Sequence, residues 1–217
     1  MRTIKVLLVI LASCLLFSCN PKKEVNAVSR ELARVIFVEG EVLVSGKPAV
    51  LDMVVGDNET IVTGAASQVE IMFADKNIFR IGANSQASID FSKEVAEVNL
   101  KKGSISAFLK KLKQLAGQDS FIIKTASAQA GVRGTALCVW SDGKDAYVCC
   151  CNGTVRTIDA KGLNEQTLVA SHHMARLYKS DSSGITIEEA GMLFHTDETL
   201  ESLAAKIDEE IDWSKAN

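Results

Sequence analysis

The chain has 217 residues, with 24 basic and 27 acidic side chains and a formal net charge of −3 at pH 7. This mildly acidic balance argues against a nucleic-acid partner, because such a partner requires a basic face. The length fits one domain with a tail. The scarcity of proline, with two residues against 14 glycines, favours an all-β body.

The first 18 residues are typical of a secretory signal. A short basic start with Arg2 and Lys5 precedes an apolar run at 6–17, which is shorter than the about 18 residues that a membrane-spanning helix needs. We therefore expect an exported protein. Removal of this segment, which carries two basic residues and no acid, would change the net charge from −3 to −5.

The end of this segment resembles a bacterial lipobox, Leu16-Phe17-Ser18-Cys19. We expect lipid attachment at Cys19, with 19–32 as a tether and the acyl chains as the membrane anchor. Cys14 is an alternative that fits the four-residue pattern better but leaves too short an apolar core. An ordinary cleaved signal with an incidental cysteine also remains open. Asn20 rather than aspartate after Cys19 favours the outer membrane, facing the periplasm, in a cell with two membranes.

Alternating apolar and polar residues then predict an all-β domain over 33–160. Strands this short, at near-regular spacing, suit a β-solenoid or a sandwich. The expected strands are 34–38, 41–44, 60–63, 68–73, 78–81, 87–91, 96–100, 121–124, 136–140, 145–151 and 154–158.

A helical insertion is expected at 106–117. Apolar residues there keep an approximately helical spacing, and Lys110, Lys111 and Lys113 take the other side. This face is either a solvated surface or a basic patch for anionic lipids or a partner.

A sharp backbone corner is expected where Gly131 and Gly134 flank Arg133, just before Thr135. Related motifs occur in a fixed order along the chain: Gly40-Glu41-Val42, Val62-Thr63-Gly64, Val69-Glu70-Ile71, Arg80-Ile81-Gly82 and Gly153-Thr154-Val155. Together these segments resemble the FecR domain, from about residue 33 to about residue 155.

The FecR resemblance implies an all-β module of the bacterial envelope that is not an enzyme. The best-known members are the periplasmic part of regulators that relay an iron-siderophore signal to a sigma factor. Those members carry a cytoplasmic segment and a membrane-crossing helix ahead of the domain, and we expect both to be missing here. The expected role is therefore a stand-alone scaffold or sensor that contacts an envelope protein or a cell-wall component. An accessory role in iron-signal transduction is an alternative.

Three consecutive cysteines, Cys149-Cys150-Cys151, precede Asn152-Gly153. Because Asn-Gly favours a type I′ hairpin, we expect the strand to end there, with Cys149 and Cys151 on one face. If Asp142-Gly143 forms a two-residue turn, Cys138 lies opposite Tyr147 and diagonal to Cys149.

These cysteines support three interpretations. An exported protein can form a disulfide among Cys138, Cys149, Cys150 and Cys151. Buried free thiols that act as small hydrophobic side chains are the second. The third is a transition-metal or redox site, because thiolate and imidazole are ligands that zinc prefers. Its residues would be Cys149, Cys151, His172 and His173.

Catalysis has little support in the sequence. There are three histidines, the third being His195, and no local motif assembles a nucleophile with its base. Glu70, Asp75 and Asp90 are expected to be solvated carboxylates at turns or strand exteriors. No cofactor is expected apart from the metal of the third interpretation.

The last segment, 161–217, is expected to hold further strands near 167–170 and 176–178, a turn at 180–184 and an amphipathic helix at 199–211. Thr196 or Asp197 would begin the helix as its cap. We expect the apolar stripe of this helix to dock on the protein's own body.

Overall fold

The computed structural model describes residues 33–74, 77–92, 95–110, 121–132 and 134–216. The first eight strands are β1 (Ala33–Glu39), β2 (Val42–Val44), β3 (Lys47–Pro48), β4 (Val54–Val55), β5 (Glu59–Thr63), β6 (Gln68–Phe73), β7 (Asn77–Ile81) and β8 (Gln86–Asp90). The next eight are β9 (Ala96–Leu109), β10 (Phe121–Lys124), β11 (Ala128–Val132), β12 (Thr135–Ser141), β13 (Ala146–Asp159), β14 (Glu165–Ala170), β15 (Met174–Ser180) and β16 (Ile185–Ala190). Helix α1 (Asp197–Ala205) follows them.

The 16 strands of the described residues form one continuous sheet with two parts, called sheet A and sheet B. Sheet A has the order β4-β1-β6-β7-β9-β12-β13-β15-β16, with antiparallel neighbours. Sheet B has the order β3-β2-β5-β8-β9-β10-β11-β13-β14, in which β9 and β10 run parallel. Strands β9 and β13 contribute one half to each sheet. These two shared strands therefore join the sheets covalently.

The inner faces of the two sheets share an apolar core. Because side chains alternate along a strand, each sheet turns one apolar face inward. Phe121 of sheet B packs edge-on against Phe73 and Phe79 of sheet A, with ring centroids 6.1 and 5.5 Å apart. The predicted all-β class is confirmed. Pairing of β9, β12, β13, β11, β10 and again β9 closes a ring, so the sheet is barrel-like.

Helix α1 covers the outer face of sheet A. Thr196 caps it by accepting a hydrogen bond from the Thr199 N–H, as expected. Leu200, Leu203 and Ala204 are buried against the sheet, so the prediction that the stripe docks on the protein's own body is confirmed.

The helix ends earlier than predicted, at Ala205 rather than at residue 211. Asp208 adopts a left-handed conformation with φ of 56°, which stops a helix of L-residues. Three consecutive acids at 208–210 would also oppose the negative end of the helix dipole. Ile207 and Ile211 still pack against the same cluster without being helical.

The predicted helical insertion is wrong at its beginning. Ser106 to Leu109 belong to β9 and pair with β12. The side chains from Ile105 to Leu109 are all buried. A strand that is buried on both faces has apolar residues in succession, and their spacing here resembles that of one face of a helix. Residues 111–120, the rest of the prediction, lie outside the described residues.

The predicted hairpin at Asn152-Gly153 is also wrong. Both residues lie inside the continuous strand β13, and Gly153 has φ of 122°. A side chain at Gly153 would meet the Thr135 hydroxyl at 2.9 Å, so glycine is required where β13 passes from one sheet to the other.

The β12–β13 connection differs from the predicted two-residue turn. Ser141 pairs with Ala146, which leaves a four-residue loop closed by the hydroxyl of Ser141 donating to Asp145 O at 2.9 Å. The register therefore shifts by two residues, and Cys138 lies directly opposite Cys149 rather than Tyr147.

The expected corner falls later than Gly131. That glycine lies within β11, paired with Ile122 and Arg156, whereas Gly134 has φ of 62° and makes the turn. Arg133 lies outside the described residues.

Strands β3, β4, β11 and β16 were not predicted. The predicted turn at 180–184 is confirmed, because the Asp181 N–H donates to Gly184 O.

Glu70 is not the solvated carboxylate that was expected. It is fully buried and accepts hydrogen bonds from Arg80, at 2.7 Å, and from Lys206. Arg80 also donates to Ser202 on α1 at 3.0 Å. Asp90 is 6% exposed, and Asp75 lies outside the described residues. Glu70 therefore ties α1 to sheet A.

Helix α1 has nine residues, and the described part of the chain contains no helix long and apolar enough to cross a bilayer.

Candidate functional site

Strand β13 places two cysteines beneath α1. Cys149 and Cys151 point to the outer face of sheet A, whereas Cys150 points into the core between the sheets. Leu137 pairs with Cys150 and Ala136 pairs with Asn152, so Cys151 is the extra residue of a bulge. A bulge re-aims the side chain of the extra residue.

His173 reaches the cysteines from the β14–β15 turn. Its backbone is left-handed, with φ of 51°, and its N–H donates to Cys151 O at 3.0 Å. This geometry brings His173 Nδ1 to 3.5 Å from Cys149 Sγ.

His195 completes the group from the loop between β16 and α1. Its Nε2 lies 3.2 Å from Cys151 Sγ and 3.2 Å from His173 Nδ1. Its Nδ1 is buried and has no hydrogen-bond partner in the described part of the chain. We call Cys149, Cys151, His173 and His195 the Cys–His cluster. Their four ligand atoms all lie within 4.8 Å of one another.

Asp197, the first residue of α1, orients one of the cluster histidines. Its Oδ1 accepts a hydrogen bond from His173 Nε2 at 2.6 Å, and its Oδ2 accepts one from His172 Nε2 at 3.0 Å. Because a carboxylate only accepts, His173 Nε2 carries the proton and Nδ1 is left to face the sulfurs.

An aromatic cover shields the two cysteines of the Cys–His cluster from solvent. Phe194 stacks on Trp140 with ring centroids 4.3 Å apart and meets Tyr147 edge-on at 5.1 Å. The Tyr147 hydroxyl donates to Gly191 O at 2.9 Å, which holds the loop down. Trp213 lies 5.4 Å from the His173 ring. Both cluster cysteines are fully buried beneath this cover.

The two sulfurs of the cluster differ electrostatically. A hydrogen bond from the Cys151 thiol, together with the neighbouring His173 and His195 rings, lowers the pKa of Cys149 to about 3. Burial raises the pKa of Cys151 well above its usual value. The hydrogen bond to Cys149, followed by that to Asp197, raises the pKa of His173.

The other two described cysteines are separate from the cluster. Cys138 donates to Phe194 O at 4.0 Å and faces Cys149 across the strands. Burial raises the pKa of Cys138, and it raises that of Cys150 to about 12. All four described cysteines are free in this structure, and a disulfide among them stays a prediction.

The cluster has the chemistry of a soft-metal centre. Two cysteines and two histidines are the ligand set of Cys₂His₂ tetrahedral zinc sites. The contacts also resemble those of a thiol nucleophile, with Cys149 as the nucleophile, His173 as its base and Asp197 as the acid that orients the base. Complete burial of Cys149 leaves no exposed surface at which its sulfur could meet a substrate.

The structure brings together three of the four predicted ligands. Cys149, Cys151 and His173 converge, whereas His172 is half exposed and its ring bonds Asp197 instead. Sequence reasoning missed His195 and Asp197 as members of this region, because spacing alone does not show that a loop 44 residues beyond Cys151 returns to it. The predicted lipid sites, Cys19 and Cys14, lie outside the described residues.

Residues 59–156 match the family described as FecR protein. This segment is a FecR domain. FecR proteins are associated with the bacterial envelope, and the predicted resemblance is confirmed. No curated protein matches the sequence.

Two crystal structures of a "putative anti-sigma factor" from Parabacteroides distasonis ATCC 8503, at 2.50 and 1.65 Å resolution, are similar to this chain. Each has a TM-score of 0.50 and 14% identity, over 60% of this chain and 59% of that chain. The chain thus matches about three fifths of the length of these neighbours, and the likeness shows a shared fold.

Three family-motif residues have structural roles in the FecR domain. The Gly82 N–H donates to Ser104 O at 3.0 Å, and a Cβ there would lie 2.4 Å from the Ser104 hydroxyl. The Thr135 hydroxyl donates to Thr154 O at 2.8 Å beside the turn at Gly134. The Cys–His cluster, by contrast, combines FecR-domain cysteines with histidines beyond residue 156.

Proposed function

We propose that this protein is an exported lipoprotein of the bacterial envelope whose FecR domain is a non-enzymatic binding module, a scaffold or sensor. The FecR match over residues 59–156 carries the proposal. The apolar segment before Cys19 supports export and acylation. Burial of the nucleophile-like group Cys149 supports a role in binding rather than in chemistry.

The partner in this proposal is another envelope protein or a cell-wall component. The acyl chains on Cys19 hold the FecR domain at a membrane surface, and Asn20 supports the periplasmic side of the outer membrane in a cell with two membranes. The acidic net charge of the chain supports a partner other than nucleic acid.

Palmitate labelling tests the anchor. In cells that produce the full chain, we expect label on the wild type and on Cys14→Ser, and none on Cys19→Ser. We also expect Cys19→Ser to move from the membrane to the soluble fraction. An unlabelled wild type that washes free in buffer, or a Cys19→Ser variant that keeps its label, contradicts the proposal.

Cross-linking in living cells tests the binding role. We expect the wild type to capture the same envelope component in repeated experiments, and Cys19→Ser to capture less because it is no longer held at the membrane. A wild type that recovers no reproducible envelope component contradicts a scaffold or sensor role.

An accessory role in iron-signal transduction is a second candidate, favoured by the FecR match alone. Deletion of the gene would then alter the transcription of iron-uptake genes when a siderophore is supplied. An unchanged response contradicts this role and leaves the binding proposal in place.

A further inference from the structure

The Cys–His cluster has the dimensions of a tetrahedral zinc site. Metal bonds of about 2.3 Å to sulfur and about 2.0 Å to nitrogen place two nitrogens about 3.3 Å apart and a nitrogen about 3.5 Å from a sulfur. The observed His173–His195 nitrogen separation is 3.2 Å. The nitrogen–sulfur separations are 3.5 Å at Cys149 and 3.2 Å at Cys151.

Contacts with the rest of the protein hold the side chains of the Cys–His cluster in place. Cys149 and Cys151 lie on the same side of β13, and the bulge falls at Cys151. The His173 main chain is bonded to Cys151 O, and Tyr147 holds the loop that carries His195 through Gly191. The donors are therefore positioned before any ligand arrives, which reduces the conformational cost of binding.

Asp197 supplies the outer contact that is typical of a metal-binding histidine. Its carboxylate accepts a hydrogen bond from His173 Nε2–H, with the nitrogen and oxygen 2.6 Å apart, which aims the other ring nitrogen at the sulfurs. Histidine ligands of zinc usually donate their second N–H to a carboxylate or a carbonyl in this way.

The donor set also identifies the class of ion. Two thiolates balance one divalent cation, so the buried site is neutral when it is filled. Ca²⁺ and Mg²⁺ require oxygen ligands, whereas sulfur with imidazole in a tetrahedron suits Zn²⁺. His172 is not placed as a fifth ligand, because its ring is half exposed and forms a hydrogen bond with Asp197.

We propose that Cys149, Cys151, His173 and His195 bind one Zn²⁺ ion, which fastens the segment before α1 to sheet A. The ion joins three parts of the chain: strand β13, the β14–β15 turn and the loop that leads into α1. Because two ligands lie in the FecR domain and two beyond it, zinc ties the C-terminal segment to that domain. Zinc binding at this site requires neither the membrane anchor nor the partner.

Metal analysis of the full chain is the direct test. We expect one zinc per chain in protein purified in detergent with a phosphine reductant and without chelators. After zinc removal, added Co²⁺ should give the intense visible bands of a tetrahedral site with thiolate ligands. Folded wild-type protein that retains no zinc and shows no such bands overturns the proposal, as does a disulfide at Cys149 or Cys151 in protein isolated from cells.

Two histidine variants form a matched pair. His195→Gln removes a ligand, and we expect it to weaken zinc binding by about 10-fold or more. His172→Gln changes an adjacent exposed ring, and we expect it to leave the affinity and the cobalt bands unchanged. Equal behaviour of the two variants, each verified as folded by circular dichroism, overturns the assignment of His195.

Two further variants separate the ligands from their surroundings. Cys150→Ala removes a thiol that points into the inner core, so the full zinc stoichiometry should remain. Asp197→Asn should weaken zinc binding by about 10- to 100-fold while the tetrahedral cobalt bands persist, because Asp197 positions a ligand without being one. Loss of zinc from Cys150→Ala would contradict the assignment of the sulfur ligands.

Hydrogen exchange tests the fastening role. Zinc removal should speed the exchange of the α1 amides, whereas the amides of β5 and β8 in sheet B should be unchanged. Uniform acceleration across both regions, or no acceleration at α1, overturns the fastening role.

Discussion

The two faces of sheet A are buried in different ways. The inner face meets sheet B through an almost wholly apolar core. The outer face meets α1 and its flanking loops, where an apolar patch is surrounded by directional contacts: the Cys–His cluster, the Glu70 ion pairs and the Asn152 hydrogen bonds. Apolar burial is non-directional. It is sufficient to hold two large sheet faces together, because these cannot easily move relative to each other.

A short helix needs more than apolar contact to take one position. A nine-residue helix is marginal in isolation, and hydrophobic contact alone would allow it to slide or rotate. His195 and Asp197 hold one end of α1, and Lys206 with Glu70 holds the other. The covering of the outer face is therefore held by directional contacts in addition to apolar burial.

The largest effect is expected in the inner core. Phe79→Ala removes a 1%-exposed ring that contacts Phe121, and we expect it to lower the free energy of unfolding by about 3–5 kcal/mol. Denaturant unfolding measures this loss. Val62→Ala, at a 38%-exposed position of β5, is the control and should change stability by less than about 0.5 kcal/mol. Similar losses in both variants would contradict the assigned core.

A smaller loss is expected at the ion pairs of the outer face. Glu70→Gln removes the buried charge shared by Arg80 and Lys206, and we expect a loss of about 1–3 kcal/mol, because both cations remain partly exposed to water. Hydrogen exchange should show the loosening first at α1.

Glu39→Gln is the matched control for Glu70→Gln, because Glu39 pairs with Gln68 on an exposed part of the same sheet. A destabilisation by Glu70→Gln no greater than that by Glu39→Gln would show that these ion pairs do not hold the helix.

The smallest effect is expected at the C-terminal tail. Asn152 Nδ2 lies 2.9 to 3.0 Å from three carbonyls, those of Ser171, Asp212 and Lys215. Asn152→Ala should cost about 1 kcal/mol and make 206–216 more sensitive to limited proteolysis. Asn164→Ala, which removes a bond to Asp159 away from this tail, should leave the cleavage pattern unchanged.

Local pattern predicted most of the strands, because a half-buried strand alternates visibly between apolar and polar residues. It missed the second half of β9 and divided β13 in two, at stretches where both faces of the strand are buried and alternation disappears. It also failed at Asn152-Gly153, whose local preference for a hairpin is overridden by pairing with β12 and β14 on either side.

The Cys–His cluster could likewise be predicted only in part from the sequence. Cys149 and Cys151 could be placed on one face from strand periodicity, and His173 could be named as a soft ligand. His195 and the unequal roles of His172 and His173 could not be predicted, because they depend on where the segment before α1 returns to the sheet.

The order of residues by itself determined the all-β class, the FecR domain, most strand positions and the amphipathic C-terminal helix, since these depend on neighbours a few positions apart. The tertiary structure decided which face of sheet A each cysteine occupies, the burial of Glu70 and the meeting of His195 with Cys151. Those features arise from contacts between residues that are distant in the chain, and no local periodicity encodes them.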